Sequence, residues 1–253
     1  MKTSTNPTPI PWLNFLNRKR EPDSESVFYD VAALDFTASI EAQWPVLKED
    51  ILNFMENNAQ ELRSFYAGQQ KWKSFGLYAW GMCLSKQRAE KCQKSVEILR
   101  KTPGIVTIMV GVMEPFSEIA GHRGDTDAIY RCHLPLVVPG TLPEIGFQVE
   151  DEKRSWVEGK FMIFNDAKFH QGWNHTAHRR VVLIIDVIKP EFRHMTIKIC
   201  SRVLSSLAMQ KAAQKIPFIG RAPHWLLRLI HPVTSAVIAL NLRFKKGTPK
   251  SLL

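Results

Sequence analysis

Short runs rich in β-branched residues dominate the middle of the chain. GIVTIMVGVM starts at Gly104, AIYRCHLPLVV at Ala128, EIGFQVE at Glu144, KFMIFND at Lys160 and RRVVLIIDVI at Arg179, with Gly, Pro, Asn and Asp turns between them. This pattern predicts a mainly β protein, a sandwich or jelly roll. Upstream the spacing is helical. Across residues 36–57, Ile40, Trp44, Leu47, Ile51 and Phe54 recur at helical intervals with polar residues between them, which predicts one continuous helix. A second helix is expected over residues 86–99, closed by the Pro103-Gly104 turn. WKSFGLYAWG, residues 72–81, lies in a polar stretch between the two and is assigned to no element. After DVIKPEF the strand-like pattern gives way to helical spacing, most clearly in Trp225, Leu226, Leu229, Ile230, Val233, Val237 and Leu240.

With 253 residues and 45% hydrophobic side chains, the chain can fill one core but not two. Charge divides it. From Glu191 onward there are eleven Lys or Arg and one acidic residue, so the last 63 residues carry the whole formal net charge of +10. The expected organisation is a mobile arm over residues 1–27, a jelly-roll domain over 28–190 and a basic amphipathic helical extension over 191–253. The opening MKTSTNPTPIPWLNFLNRKR is too short and proline-broken in its apolar part for a secretory signal or a membrane span. Cys83, Cys92, Cys132 and Cys200 are too few for a disulfide scaffold and too dispersed for a CxxC zinc pair; they read as reduced thiols of a cytoplasmic protein. No phosphate-binding glycine loop, nucleophile elbow or zinc-hydrolase motif occurs.

The chemistry concentrates in HRGDTDAIYRCHLPLVV, which begins at His122. Strand alternation puts Arg131 and His133 on one face, with Cys132 and Leu134 on the other. His122 is expected in a loop after one strand, and His170, 48 residues later, at the mouth of another. Arg180 opens the most apolar strand, with Arg179 facing away from it. A buried guanidinium is costly without a carboxylate, and its planar fork suits the carboxylate of a small acid. His122, His170, Arg180, Arg131 and His133 can therefore converge as two metal ligands and three groups that attract an anion. Taken alone, each histidine reads by default as a satisfied core or surface residue.

HRGDTDAIYRCHLPLVVP, followed by SWVEGKFMIFNDAKFHQGWNHTAHRRVVLIIDVIKPE, resembles the catalytic domain of the aspartyl/asparaginyl β-hydroxylase family over about residues 28–190. The W-x-E-G-K stretch, the F-x-D-x-x-F-x-H run, the Trp three residues after that histidine and the Arg ten after it match in order. The resemblance implies a double-stranded β-helix, a cupin-like jelly roll, that uses Fe(II), O2 and 2-oxoglutarate to hydroxylate a C–H bond. It implies that His122 and His170 bind the iron, and that Arg180 pairs with the distal carboxylate of 2-oxoglutarate, assisted by His133 and Arg131. Many enzymes of this chemistry carry His-x-Asp, whereas this chain has His122-Arg123-Gly124, a departure the family shares. Asp125 could hold a water at the third position or cap the turn; a halide there would make the protein a halogenase instead. A noncatalytic jelly-roll binding module is the other alternative. Asp166 is read as an orienting group or a turn residue, and Asp186 as a sheet-edge support or a partner for a cation.

The substrate is expected to be a small molecule or a lipid acyl chain. In the extension, an apolar stripe bearing Trp225 with Arg228, Arg243, Lys245 and Lys246 nearby could lie in a membrane interface. Packing on the barrel or on a second subunit is the commoner fate of such a stripe. The charges are not interleaved with stacking aromatics, so nucleic acid is not expected. The sequence leaves the oligomeric state open.

Overall fold

A computed structural model describes residues 11–14, 27–64, 72–216 and 221–244. Among the described residues, eleven strands form two antiparallel sheets: β1 (Arg63–Ser64), β2 (Trp72–Ala79), β3 (Met82–Cys83), β4 (Ile105–Met113), β5 (Ser117–His122), β6 (Ile129–Val137), β7 (Ile145–Val149), β8 (Glu152–Arg154), β9 (Met162–Phe164), β10 (His170–Asn174) and β11 (Arg180–Ile188). The larger sheet runs β1-β2-β4-β11-β6-β9 with β3 beside β2, and the smaller runs β5-β10-β7-β8. The non-sequential order, with two facing sheets, is a jelly roll of the cupin kind, as the strand pattern predicts.

β11 sits at the centre of the larger sheet between β4 and β6, and all nine of its residues are buried. Alternation explains why it reads as an unbroken apolar run. Val181, Leu183, Ile185 and Val187 pack outward with Cys132 and Leu134 beneath the helices, in a core that includes Leu47, Ile51, Phe54 and Leu99. Val182 and Ile184 point the other way, into the space between the sheets, with Phe147, Trp156 and Phe164. Arg180 and Asp186 share that inner face by the same two-residue period.

The helical start is broken where one helix is expected. α1 (Thr37–Glu41) ends before α2 (Trp44–Asn57) begins, with Pro45 in the first turn of α2. A proline there lacks the N–H that a continuous helix would need. Ile40, Leu47, Ile51 and Phe54 still face the core. Residues 86–99 likewise divide into α3 (Lys86–Lys91), capped by Ser85, and α4 (Gln93–Leu99). WKSFGLYAWG contains β2, which pairs with β4 from Trp72↔Met113 onward.

Part of the expected mobile arm is docked. Trp12 and Leu13 are buried, Leu13 bridges Thr126, and the Trp12 backbone N–H donates to Asp127 at 2.7 Å. Residues 1–10 and 15–26 of that arm, and Lys245 and Lys246, lie outside the described residues. The basic extension forms α5 (Thr196–Lys215) and α6 (His224–Phe244). Ile199, Cys200, Val203 and Leu242 pack with Leu13, Ile129, Ile188 and Phe192, so the extension closes one side of the barrel.

Candidate active site

His122 is the last residue of β5 and His170 the first of β10, and the two are paired across the sheet. The loop placement expected for His122 is thus replaced by direct strand register. Their ring centroids lie 4.3 Å apart. His122 Nδ1 is 2.9 Å from the Ala120 carbonyl, and His170 Nδ1 is 2.8 Å from the Lys168 carbonyl. A carbonyl only accepts, so each Nδ1 carries the proton and each Nε2 keeps its lone pair. Burial, reinforced by His122, holds the His170 pKa well below its ordinary value. Two imidazoles on paired strand residues, each with its Nδ1–H held by a backbone carbonyl and its Nε2 lone pair kept, are a donor pair suited to a divalent metal.

The third position of the His-x-Gly motif is occupied from another part of the chain. A Cβ on Gly124 would fall 1.7 Å from Asp166 Oδ2. The fully buried Asp166 carboxylate fills that space, with Oδ1 3.7 Å from His170 Nε2. It is held by Arg131 Nη1 at 2.6 Å and the Asp125 N–H at 3.3 Å, while its carbonyl accepts from the Gly124 N–H at 2.7 Å. Of the two readings for Asp166, the orienting one fits this placement. Burial, together with Asp166, pushes the neighbouring Asp125 carboxyl up to about 7. Among the described residues, no group of three or more His, Cys, Asp or Glu side chains is placed to hold a metal ion.

Arg131 and His133 do share one face of β6, but their surroundings differ. Arg131 donates to both Asp186 oxygens, Nε at 2.8 Å and Nη2 at 3.0 Å, as well as to Asp166. Burial alone would lower its pKa; Asp166 and Asp186 outweigh burial and hold it above the ordinary value. Its charge is therefore met by two carboxylates of this chain, and the expectation that it attracts an external anion is corrected. Arg131 instead ties β6 to β11 and fixes Asp166. Asp186 is accordingly the cation's partner and not a sheet-edge support.

His133 is 5% exposed and accepts a hydrogen bond at Nδ1 from the Trp156 indole N–H at 3.3 Å. Burial, with the charges of Arg180 and Arg131, holds it well below its ordinary pKa. It is the neutral tautomer whose Nε2–H is left to donate. Arg180 is 2% exposed, with its guanidinium carbon 4.4 Å from the Trp156 ring centroid. No carboxylate of the described residues pairs with it, and its Nε has no hydrogen-bond partner. Burial lowers its pKa to about 9. Trp156 thus touches both His133 and Arg180, a role the sequence signals only by its place in W-x-E-G-K. Phe147 and Phe164 lie between the two ends of the site, with ring centroids 5.8 and 5.2 Å from His170 and 5.2 and 4.9 Å from His133.

At the edge of the site, His175 is half-exposed and pairs with Glu118 at 2.8 Å, while the Trp173 indole N–H donates to the Pro143 carbonyl at 2.8 Å.

The fold and site define a cupin-like jelly roll that joins an imidazole pair, His170 buried and His122 half-buried, to a buried guanidinium flanked by aromatic rings. The sequence places it further: the family model for Aspartyl/Asparaginyl beta-hydroxylase matches residues 41–190, and the chain belongs to that hydroxylase family. It is 31% identical over 190 residues, 72% of this chain and 67% of the relative, to an ornithine lipid ester-linked acyl 2-hydroxylase of Rhizobium tropici. It is 26% identical over 169 residues to the human aspartyl/asparaginyl beta-hydroxylase, covering 62% of this chain and 21% of that protein. Among solved structures it is similar to the cupin domain of an XRE family transcriptional regulator from Enterobacter cloacae, with TM-score 0.33, 9% identity and coverage of 47% of this chain and 99% of that one.

Proposed function

We propose that this protein is an Fe(II)- and 2-oxoglutarate-dependent oxygenase that hydroxylates an unactivated C–H bond of a lipid acyl chain. The observation that carries the reading is Arg180, a buried guanidinium with an unsatisfied Nε and no carboxylate partner among the described residues, on the inner face of the larger sheet, while the paired His122 and His170 belong to the smaller sheet that faces it. A charge so placed is costly until an anion from outside the chain meets it. The carboxylate of 2-oxoglutarate suits the fork of Arg180, and the Nε2–H of His133 supplies a second donor. Trp156 holds both of these groups in orientation. His122 and His170 would hold the iron through Nε2. When bound, iron and 2-oxoglutarate supply the oxidative decarboxylation that activates O2 for hydroxyl insertion.

Phe147 and Phe164 exclude water between the two ends of the site, which strengthens each electrostatic contact within it. Asp166, anchored by Arg131, presents a carboxylate where Gly124 leaves room. Negative charge there supports hydroxylation over halogenation, because a halide would be repelled. The acyl-chain substrate is proposed from the Rhizobium tropici relative, an ornithine lipid ester-linked acyl 2-hydroxylase. A small metabolite is the alternative substrate.

Anaerobic addition of Fe(II) and 2-oxoglutarate should produce a visible charge-transfer absorption. Exposure to air with an ornithine lipid fraction should then yield succinate and a product heavier by one oxygen. Absence of the absorption refutes the oxygenase reading in favour of a binding module. Absorption without lipid turnover, but with turnover of a small 2-amino or 2-hydroxy acid, refutes the acyl-chain substrate alone.

A further inference from the structure

The helix α6 is folded inside out. The residues it turns toward the protein are mostly polar: His231 and Ser235 are buried, and both bond to α5. His231 Nε2 lies 3.0 Å from the Arg202 carbonyl, Ser235 Oγ is 3.1 Å from Ser201 Oγ, and Thr234 bonds Ser205. The residues it turns outward are apolar. Trp225, Leu229, Val233, Val237, Leu240 and Phe244 are each more than half exposed, and their spacing of three or four aligns them as one stripe. That stripe runs about 30 Å, the length of the helix. Of thirteen large hydrophobic residues exposed among the described residues, seven lie on α6. The expectation that this stripe packs on the barrel is therefore corrected: only Leu242 enters the barrel-side core from the strongly buried positions of α6.

We propose that α6 is a docking surface for an anionic lipid bilayer and lies in its interface. Charge selects this occupant. The extension carries eleven basic residues against one acidic, so a second copy seated on the stripe would bring two strongly positive segments together. An anionic leaflet attracts the same residues, with Arg228 and Arg243 on α6 itself. The helix is apolar and long enough to cross a membrane by composition. Its attachment favours lying flat: the three polar contacts bind it to α5, which carries Lys198, Arg202, Lys211 and Lys215. Crossing would draw those cations into hydrocarbon or break the contacts, and Arg228 and Pro232 interrupt α6 itself. This inference rests on the extension and not on the proposed chemistry.

The test is flotation of the full-length protein on vesicles of phosphatidylcholine, with and without phosphatidylglycerol. Binding to the anionic vesicles, weakened by salt, is expected. Leu229→Asp with Val233→Asp should lower the bound fraction by about tenfold or more. Both positions are exposed, and an unchanged melting curve verifies that the variant folds; if it does not, Trp225→Ala replaces it. Brominated acyl chains should quench Trp225 fluorescence, read against Trp225→Phe. No flotation on either vesicle overturns the proposal, as does a light-scattering dimer that the double variant dissociates. Resistance to alkaline extraction overturns the in-plane geometry in favour of a spanning helix.

Discussion

Replacing Arg180 with Met removes the guanidinium while keeping most of its aliphatic stem. A pKa lowered from 12.5 to about 9 corresponds to a penalty of about 5 kcal/mol on the charged form at neutral pH, where the arginine is protonated in both the folded and the unfolded chain. Stacking on Trp156 returns about 2 kcal/mol. The ligand-free protein therefore carries a cost of about 3 kcal/mol at this position, and Arg180→Met should raise its melting temperature by about 6 to 12 °C for a chain of this size. The gain comes with a loss. In the presence of Mn(II) and 2-oxoglutarate at about 100 times its Kd, the parent protein should gain about 2.7 kcal/mol, and the variant almost none. Thermal unfolding under anaerobic conditions, with and without 2-oxoglutarate, reads both effects. A lower melting temperature for the ligand-free variant refutes the unpaired-charge argument. Equal shifts with 2-oxoglutarate refute the anion clamp.

Gly124→Ala must displace the Asp166 carboxylate that Arg131 holds, so it should cost about 1 to 3 kcal/mol and weaken Co(II) binding in a titration; unchanged values would refute the close approach. Asp186→Asn leaves Arg131 with one carboxylate in place of two and should lower stability by about 3 kcal/mol by urea denaturation, the lower end for a broken buried pair because Asp166 remains. The fold should also be sensitive to acid. Burial holds the pKa of His133 well below 6.5 and that of His231 below it, so the unfolded chain binds more protons once pH falls through that ordinary value. The histidine contribution should be flat above about pH 7.5 and be lost progressively below about 6.5, while Asp125, raised to about 7, acts in the opposite direction over the same window; His231→Asn should therefore make the fold less sensitive to acid than the parent in melts followed by circular dichroism.

The jelly roll was legible because strand runs announce themselves locally: β4, β6, β7, β9 and β11 all fall on the β-branched segments. β2 was not, because Lys73 and Ser74 made its first half read as polar, and only pairing with β4 buries the rest. β5 and β10 are short and carry the histidines in place of apolar residues, so no alternation signalled them. The break at Ala42 and Gln43 had a local signal in Pro45, which the otherwise regular apolar spacing obscured.

The sequence by itself determined which residues share a face. A two-residue period fixes Arg131 with His133 and Arg180 with Asp186 wherever the strands lie. Only the tertiary structure decided which charges meet. Register sets His122 opposite His170 and aligns Arg131 with Asp186, which leaves Arg180 the buried guanidinium without a carboxylate among the described residues. It also brings Asp166 into the space Gly124 leaves, and turns the apolar stripe of α6 outward. Periodicity is a property of neighbouring residues. Pairing joins segments tens of residues apart, and depends on the free energy of the whole assembly.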